Sequence, residues 1–241
     1  MPKKVSPLKK LGLILAALAW VFAAFFFSSI LSAVIIRIFI PTSALIPLEN
    51  SPLFLSGFYI ASDLLLFSVT LLIPHFFFKE KWSDFKSALG FTRRPSWTDV
   101  GLAPIGYAVA HLIAIPLIFI FSFFPWFNAE EAQDLGFTAL TTTPEIIFTF
   151  LAIVIIAPIV EETIFRGWLY QKLRRFLSIP IATILVSLAF GIVHLQWNVG
   201  VTVFAMSIPL CLLREYTGST YSGILVHALN NGIAFSLLYL L

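Results

Sequence analysis

The chain of 241 residues is too apolar for a water-soluble protein, because 59% of its residues are hydrophobic and only 11% are charged, whereas soluble domains carry about 25% charged residues. The same composition excludes an intrinsically disordered chain, which is poor in hydrophobic residues. The net charge is only +3, and the single cysteine, Cys211, excludes both an internal disulfide and a CxxC metal or redox motif.

Seven apolar stretches follow one another along the chain, and their continuous hydrophobicity favours transmembrane helices over the alternating strands of a barrel. They cover residues 11–36, 53–78, 101–127, 146–160, 179–195, 199–213 and 221–241. A span needs about 20 residues, so the three short stretches need flanking residues to cross. The sequence predicts an all-α fold, a polytopic transmembrane helix bundle of about seven or eight spans.

The basic residues predict the orientation of this bundle. Thirteen of the 15 lysines and arginines lie before the first stretch or after the second, fourth and sixth. The positive-inside rule therefore predicts a multi-pass protein of the cell membrane with a cytoplasmic N-terminus. Seven spans would leave the C-terminus outside, and an eighth would reverse that side. After the second stretch, Trp82, Phe85 and Leu89 share one helical face, which predicts a short interfacial helix.

Ionisable side chains inside membrane spans cost several kcal/mol and usually mark function. Here they occur in three short motifs in the second half of the chain. The motif residues are Glu161, Glu162 and Arg166 in the first, Phe190 and His194 in the second, and His227 and Asn231 in the third.

Helix geometry separates the two adjacent glutamates. Glu162 and Arg166 are four residues apart, so they lie on one helical face in the favourable order for an ion pair. Glu161 points about 140° away from Arg166. We therefore expect Glu162 to be the structural partner of Arg166 and Glu161 to be left for chemistry.

The three motifs are predicted to meet in one pocket. Glu161 precedes Ser178 by 17 residues and His194 follows it by 16, so an antiparallel helix pair that turns there brings both to the same height. His227 and Asn231 share one face of the last helix. The spacing therefore predicts a pocket that contains all four of these side chains.

Two related chemistries fit this set of residues, and the sequence leaves both open. Glu161, His194 and His227 could bind a divalent metal such as zinc, with a water in the open position. Alternatively, Glu161 and His194 activate water directly, while His227 and Asn231 donate hydrogen bonds to an oxyanion. Either route hydrolyses an amide bond.

The motifs EExxxR, FxxxH and HxxxN, in this order, resemble the CPBP family of intramembrane metalloproteases, also called the CAAX protease and bacteriocin-processing, or Abi, family. The resemblance covers about 136–241, which predicts catalytic core helices there and N-terminal transmembrane spans with a basic cytoplasmic loop at 1–135, within one continuous membrane domain. Phe190 in the FxxxH motif is expected to support the site by packing.

The resemblance implies an endopeptidase similar to the type II CAAX prenyl proteases. In that family the first glutamate and the FxxxH histidine are thought to activate water, the last histidine and asparagine stabilise the oxyanion, and the role of a metal is disputed. The implied partners are the lipid bilayer and a membrane-associated or prenylated peptide, with no nucleic acid.

Two other classes of protein are compatible with polar residues inside spans. One is a transporter or proton relay, and the other is a catalytically silent immunity or scaffold protein. The convergence of the ionisable residues at one level, together with an asparagine, favours the hydrolase. Asp63, alone in the second stretch, could contact substrate or pack against a helix, and packing is the preferred interpretation.

Overall fold

The computed structural model describes residues 6–41, 43, 45, 48, 50–78, 86, 89–131, 133, 135–137 and 139–241. This part of the chain forms helices and loops and contains no strand. Its seven long helices are α1 (Pro7–Phe39), α2 (Pro52–Phe67, Ser68–Leu72 and Ile73–Phe78), α3 (Trp97–Phe121), α4 (Thr143–Arg174), α5 (Ile179–Ile192), α6 (Trp197–Thr217) and α7 (Tyr221–Tyr239).

These helices confirm the all-helical fold and correspond one to one to the seven apolar stretches. Helices α1, α2, α3, α4 and α6 are long and apolar enough to cross a membrane, whereas α5 is apolar but has only 14 residues. The fourth stretch gains its length from its flanks, because α4 continues through the polar motif to Arg174. The protein is therefore a multi-pass helical membrane protein.

Short polar residues and proline start several of these helices. Ser6 and Ser51 cap α1 and α2, each followed by proline in the first turn. Ser96 forms a capping box with Asp99 at the start of α3, and Thr142 forms one with Glu145 at the start of α4. Such caps satisfy backbone N–H groups that a helix start leaves unpaired.

Helix α4 lies at the centre of the bundle. It contacts α1, α2, α5, α6 and α7, while α3 packs against α6 and α7, and α5 also packs against α6. Two π-helical segments, Leu151–Ile156 and Thr163–Leu169, flank the two glutamates of α4. Segments of this kind are rare and occur often at functional sites.

Glycines allow the closest helix contacts around this centre. A Cβ atom at Gly223 of α7 would lie 2.8 Å from Oε2 of Glu162, so only glycine lets α7 approach the glutamates of α4 this closely. Gly191 of α5 and Gly200 of α6 face each other, and a Cβ on either would lie 2.7–2.9 Å from the other's carbonyl oxygen.

Two predictions about the N-terminal half stay predictions. Trp82 and Phe85 lie outside the described residues, so the interfacial helix is not described. The boundary between 1–135 and 136–241 crosses one continuous hydrophobic core, in which Val21 and Ala24 of α1 are buried in the same cluster as Phe165 of α4.

Candidate active site

A cavity of about 520 Å³ lies inside the bundle, and all four side chains that the sequence predicts to meet contribute to its wall. They are Glu161 of α4, His194 of the turn after α5, and His227 and Asn231 of α7. The wall also includes residues of α1, α2, α3 and α6 and of the loop between α3 and α4. The structure thus brings three separate motifs to one cavity.

The ion pair expected within the first motif is present and completely buried. Nη1 of Arg166 donates to Oε1 of Glu162 at 2.6 Å, and both side chains have 0% exposure. Arg166 also stacks on Phe190, with its guanidinium carbon 4.4 Å from the ring centroid. A buried charge pair of this kind is held in one geometry, because separating it would leave two bare charges in an apolar interior.

His227 lies between the two glutamates, an arrangement that the sequence did not predict. Its Nδ1 is 3.1 Å from Oε1 of Glu162, and its Nε2 is 4.0 Å from Oε2 of Glu161. The Glu162 carboxylate paired with Arg166 only accepts hydrogen bonds, so Nδ1 of His227 carries the hydrogen and donates. Glu162 therefore orients the ring and leaves Nε2 facing Glu161.

Glu161 has the properties of a free carboxylate. Its Oε2 atom is fully buried and has no hydrogen-bond partner among the described residues, although its side chain as a whole keeps 19% exposure. Burial without a donor is costly for a carboxylate. Because the side chain also forms part of the cavity wall, its exposed part can interact with a group that enters the cavity.

His194 follows the end of α5, where the chain turns towards α6. The sequence predicted a helix up to residue 195, but α5 ends at Ile192 and Leu195 adopts a positive φ of 56°. Nδ1 of His194 donates to the carbonyl oxygen of Phe190 at 2.8 Å. Because a carbonyl oxygen only accepts, the neutral ring keeps its lone pair on Nε2, where it can accept a hydrogen bond.

Asn231 is held by the backbone of α4. Its Nδ2 donates to the carbonyl oxygen of Ile153 at 2.9 Å, and its Oδ1 accepts from Nδ2 of Asn230 at 3.2 Å. The amide group has two hydrogens, so one remains for a further acceptor. Ile153 belongs to the π-helical segment that precedes the glutamates.

Phe190 connects the separate motifs more directly than its expected packing role implies. The fully buried ring lies with its centroid 5.0 Å from that of His194 and 5.8 Å from that of His227. It also packs edge to face on Phe165 at 4.8 Å. One aromatic side chain thus fixes the spacing of both histidines.

Several residues of the cavity were not assigned to the site from the sequence. Asp63 of α2 lies in the wall, as do Asn198 and Glu131. Asn198 donates to the backbone carbonyl of Glu131, which ties the loop between α3 and α4 to the start of α6. Asp63 was visible as the one charged residue in 53–78 before Lys79, whereas no local pattern distinguishes Asn198.

The side chains at the site are of types that bind zinc, but they are not placed closely enough together to do so. One carboxylate and two imidazoles are common zinc ligands. In the described part of the chain, however, no three His, Cys, Asp or Glu side chains are grouped closely enough to hold a metal ion. Glu161, His194 and His227 thus share a cavity without forming a ligand cluster.

Comparison with protein families gives a match for this half of the chain. Residues 143–233 match the model of the type II CAAX prenyl endopeptidase Rce1-like family. These residues, 91 of the 241, are similar to that family, and the segment is called the Rce1-like domain. A comparison with curated proteins and one with solved structures each gave no match.

The Rce1-like domain runs from the start of α4 into the last third of α7 and contains every residue of the three motifs. It supports the resemblance drawn from the motifs and, in general terms, a CAAX-type intramembrane endopeptidase. Helices α1 to α3 lie outside the match, although Phe25, Asp63 and Ile118 from these helices form part of the cavity wall.

Proposed function

We propose that this protein is an intramembrane endopeptidase that hydrolyses a peptide bond of a membrane-associated or prenylated peptide, with Glu161 as the general base. The carrying observation is the cavity that Glu161, His194, His227 and Asn231 share. An apolar bundle that brings four hydrophilic side chains together around a space of this size is suited to a reaction that needs water.

In the proposed first step, Glu161 takes a proton from a water molecule that Nε2 of His194 orients by accepting its other hydrogen. The water oxygen then attacks the carbonyl carbon of the peptide, so that a C–O bond forms and the carbonyl oxygen becomes an oxyanion. Nδ2 of Asn231 and Nε2 of His227 donate hydrogen bonds to that oxyanion. The proton held by Glu161 passes to the leaving nitrogen as the C–N bond breaks.

The role of His227 depends on a proton at Nε2, because a bare ring nitrogen repels an oxyanion. In this scheme Nδ1 donates to Glu162, 3.1 Å away, at the same time, so the ring acts with a hydrogen on each nitrogen. Glu162 and Arg166 are positioning residues in this scheme, and Phe190 supports both histidines.

No step of this scheme passes through a metal, in keeping with the spacing of the described side chains. The alternative keeps the same residues, with Glu161, His194 and His227 as ligands of a zinc ion that polarises water. The proposed location is the cell membrane, with the N-terminus in the cytoplasm as the basic residues predict.

The Glu161→Gln variant tests the proposal. Glutamine keeps the size of the side chain but cannot take the proton, so we expect cleavage to fall by at least about 100-fold. Peptide termini that appear only in membranes containing the wild-type protein identify the substrate by mass spectrometry, and the purified proteins then cleave that peptide in detergent.

Glu130→Gln is the matched control, because Glu130 is exposed and does not contribute to the cavity wall. The control should cleave as the wild type does, and all three proteins should share one melting temperature. If a folded Glu161→Gln variant cleaved the peptide as fast as the wild type does, Glu161 would not be the general base.

A further inference from the structure

Asp63 lies in the wall of the cavity and has no polar partner among the described residues. It is half-buried in α2, and no described residue forms a hydrogen bond or an ion pair with it. Its polar neighbours on the same helix are paired, since Ser62 donates to Ser32 and Ser56 bonds to Thr149, both at 3.0 Å. The lack of a partner belongs to Asp63 itself and not to the whole helix.

Asp99 shows what a structural acid looks like in this protein. Its buried carboxylate accepts two hydrogen bonds from Arg93, two from Ser96 and one from Ser222, at 2.6–2.9 Å. An acid that ties helices together has such donors, because burying a carboxylate without them is costly. Asp63 has none, so the packing role preferred from the sequence does not explain it.

The described wall of the cavity contains three acids, Asp63, Glu161 and Glu131, and no lysine or arginine. Its two histidines have other contacts. Nδ1 of His227 lies 3.1 Å from Glu162 and its Nε2 faces Glu161, while Nδ1 of His194 donates to the backbone of Phe190. Two acids in an apolar bundle repel each other, and a cation entering between them would offset that cost.

A second observation points to the same space. Glu161 contributes to the cavity wall, and its buried Oε2 has no hydrogen-bond partner among the described residues. Phe25, Ile118 and Val203 supply an apolar surface in the same wall, on which the aliphatic stem of a long basic side chain can pack.

We propose that Asp63 is a specificity residue that binds a cationic side chain, a lysine or an arginine, next to the scissile bond of the peptide substrate. This inference rests on the proposed function, because it assigns the substrate class of that same cavity. It adds to the Rce1-like domain a residue from α2, outside the matched segment.

The test measures binding apart from turnover, on a variant that holds peptide without cutting it. Two pools of synthetic decapeptides are degenerate at nine positions, and the tenth is lysine in one pool and the isosteric, neutral norleucine in the other. Each pool is applied to immobilised, detergent-solubilised His194→Ala protein and to the His194→Ala/Asp63→Asn double variant. The retained peptides are quantified by mass spectrometry.

We expect His194→Ala to retain the lysine pool about tenfold more than the norleucine pool, the ratio that corresponds to about 1.4 kcal/mol. The double variant should lose that preference while retaining norleucine peptides equally well. His194→Ala/Glu130→Gln, which removes a charge outside the cavity, should keep the preference. Equal retention of both pools by His194→Ala, or an unchanged preference in the double variant with Asp63→Asn, would overturn the proposal.

The melting temperature of Asp63→Asn distinguishes a substrate-binding role of Asp63 from a structural one. A packing acid loses bonds when it becomes asparagine, so its removal lowers the melting temperature, whereas an unpartnered carboxylate does not. We therefore expect Asp63→Asn to melt at or above the wild-type temperature, and a clear decrease would restore the packing interpretation. Failure of the proposed function gives a different result from failure of this inference. A His194→Ala variant that still cleaves peptides would contradict the role of His194 in water activation, whereas its preference for lysine peptides would be unchanged.

Discussion

At the scale of single residues, the position of the two neighbouring glutamates explains their different roles. The rotation of an α-helix was enough to pair Glu162 with Arg166, and the structure contains that pair at 2.6 Å. The same rotation could not predict that His227, 65 residues later, bonds to the same carboxylate oxygen. Long-range contacts of this kind depend on the helix arrangement, which local spacing does not encode.

The buried ion pair gives a stability prediction. Arg166→Ala leaves the Glu162 charge without its partner in a fully buried position, so we expect a loss of about 3–5 kcal/mol in the free energy of unfolding. Thermal unfolding in detergent measures this loss as a lower melting temperature.

The double variant Glu162→Gln/Arg166→Met is the control for this prediction, because it removes both charges together. Its melting temperature should recover much of the loss, since replacing both partners of a buried pair is less costly than removing one. A melting temperature of Arg166→Ala equal to that of the wild type would show that the pair contributes nothing to stability.

At the scale of helices, the hydrophobic pattern located every long helix but not where each one ends. The stretch at 179–195 suggested a helix through His194, whereas α5 ends at Ile192 and the histidine lies in a turn. The π-helical segments of α4 were not predictable either, because neither the uniformly apolar Leu151–Ile156 nor the mixed Thr163–Leu169 has a residue pattern that distinguishes a π-helix from an α-helix. A hydropathy pattern shows which segments are apolar enough to lie in lipid, but it does not show where a helix ends or which backbone hydrogen bonds it forms.

The close contact between α4 and α7 gives a prediction at this scale. Gly223, His227 and Asn231 are spaced by four residues and share one face of α7. A methyl group at Gly223 would lie 2.8 Å from Oε2 of Glu162, so Gly223→Ala must displace α7 or the carboxylate. We expect a loss of about 1–3 kcal/mol in stability and weaker cleavage, because His227 lies one turn away.

Gly232→Ala is the matched control on the same helix. There the added methyl group would lie 3.5 Å from Val154, an ordinary contact, and alanine favours the helix by up to about 1 kcal/mol. Melting temperature and cleavage rate should stay at or above the wild-type values. Equal effects of the two substitutions would show that the contact with Glu162 is not what constrains α7.

At the scale of the whole molecule, the residues that form the cavity come from all parts of the chain. The three motifs were recognisable in the sequence because each combines polar residues at helical spacing within an apolar run. Asn198 was not recognisable as a member of the site, and Asp63 was noticed but assigned to packing, because the positions of both depend on how α2 and α6 pack around α4. The fold class was thus predictable, and the composition of the cavity wall only in part.

The need for a metal is also a question for the whole assembly, since a bound ion would cross-link α4, the turn after α5, and α7. The described side chains are not grouped for that purpose, so we expect activity and melting temperature to be unchanged after exhaustive chelation of the purified protein. Zinc add-back and elemental analysis accompany the measurement. Loss of cleavage that zinc restores, together with a lower melting temperature of the stripped protein, would favour the metal alternative.

The shortness of α5 has a consequence for how the membrane meets this bundle. Its 14 residues rise about 21 Å, some 9 Å less than the hydrocarbon layer is thick. Beyond its end stand the exposed side chains of Leu195 and Trp197, the latter stacked on Trp126, and tryptophan favours the headgroup region. A bilayer that thins on this flank would bring the aqueous phase closer to His194, so that water for the proposed hydrolysis would enter from this side.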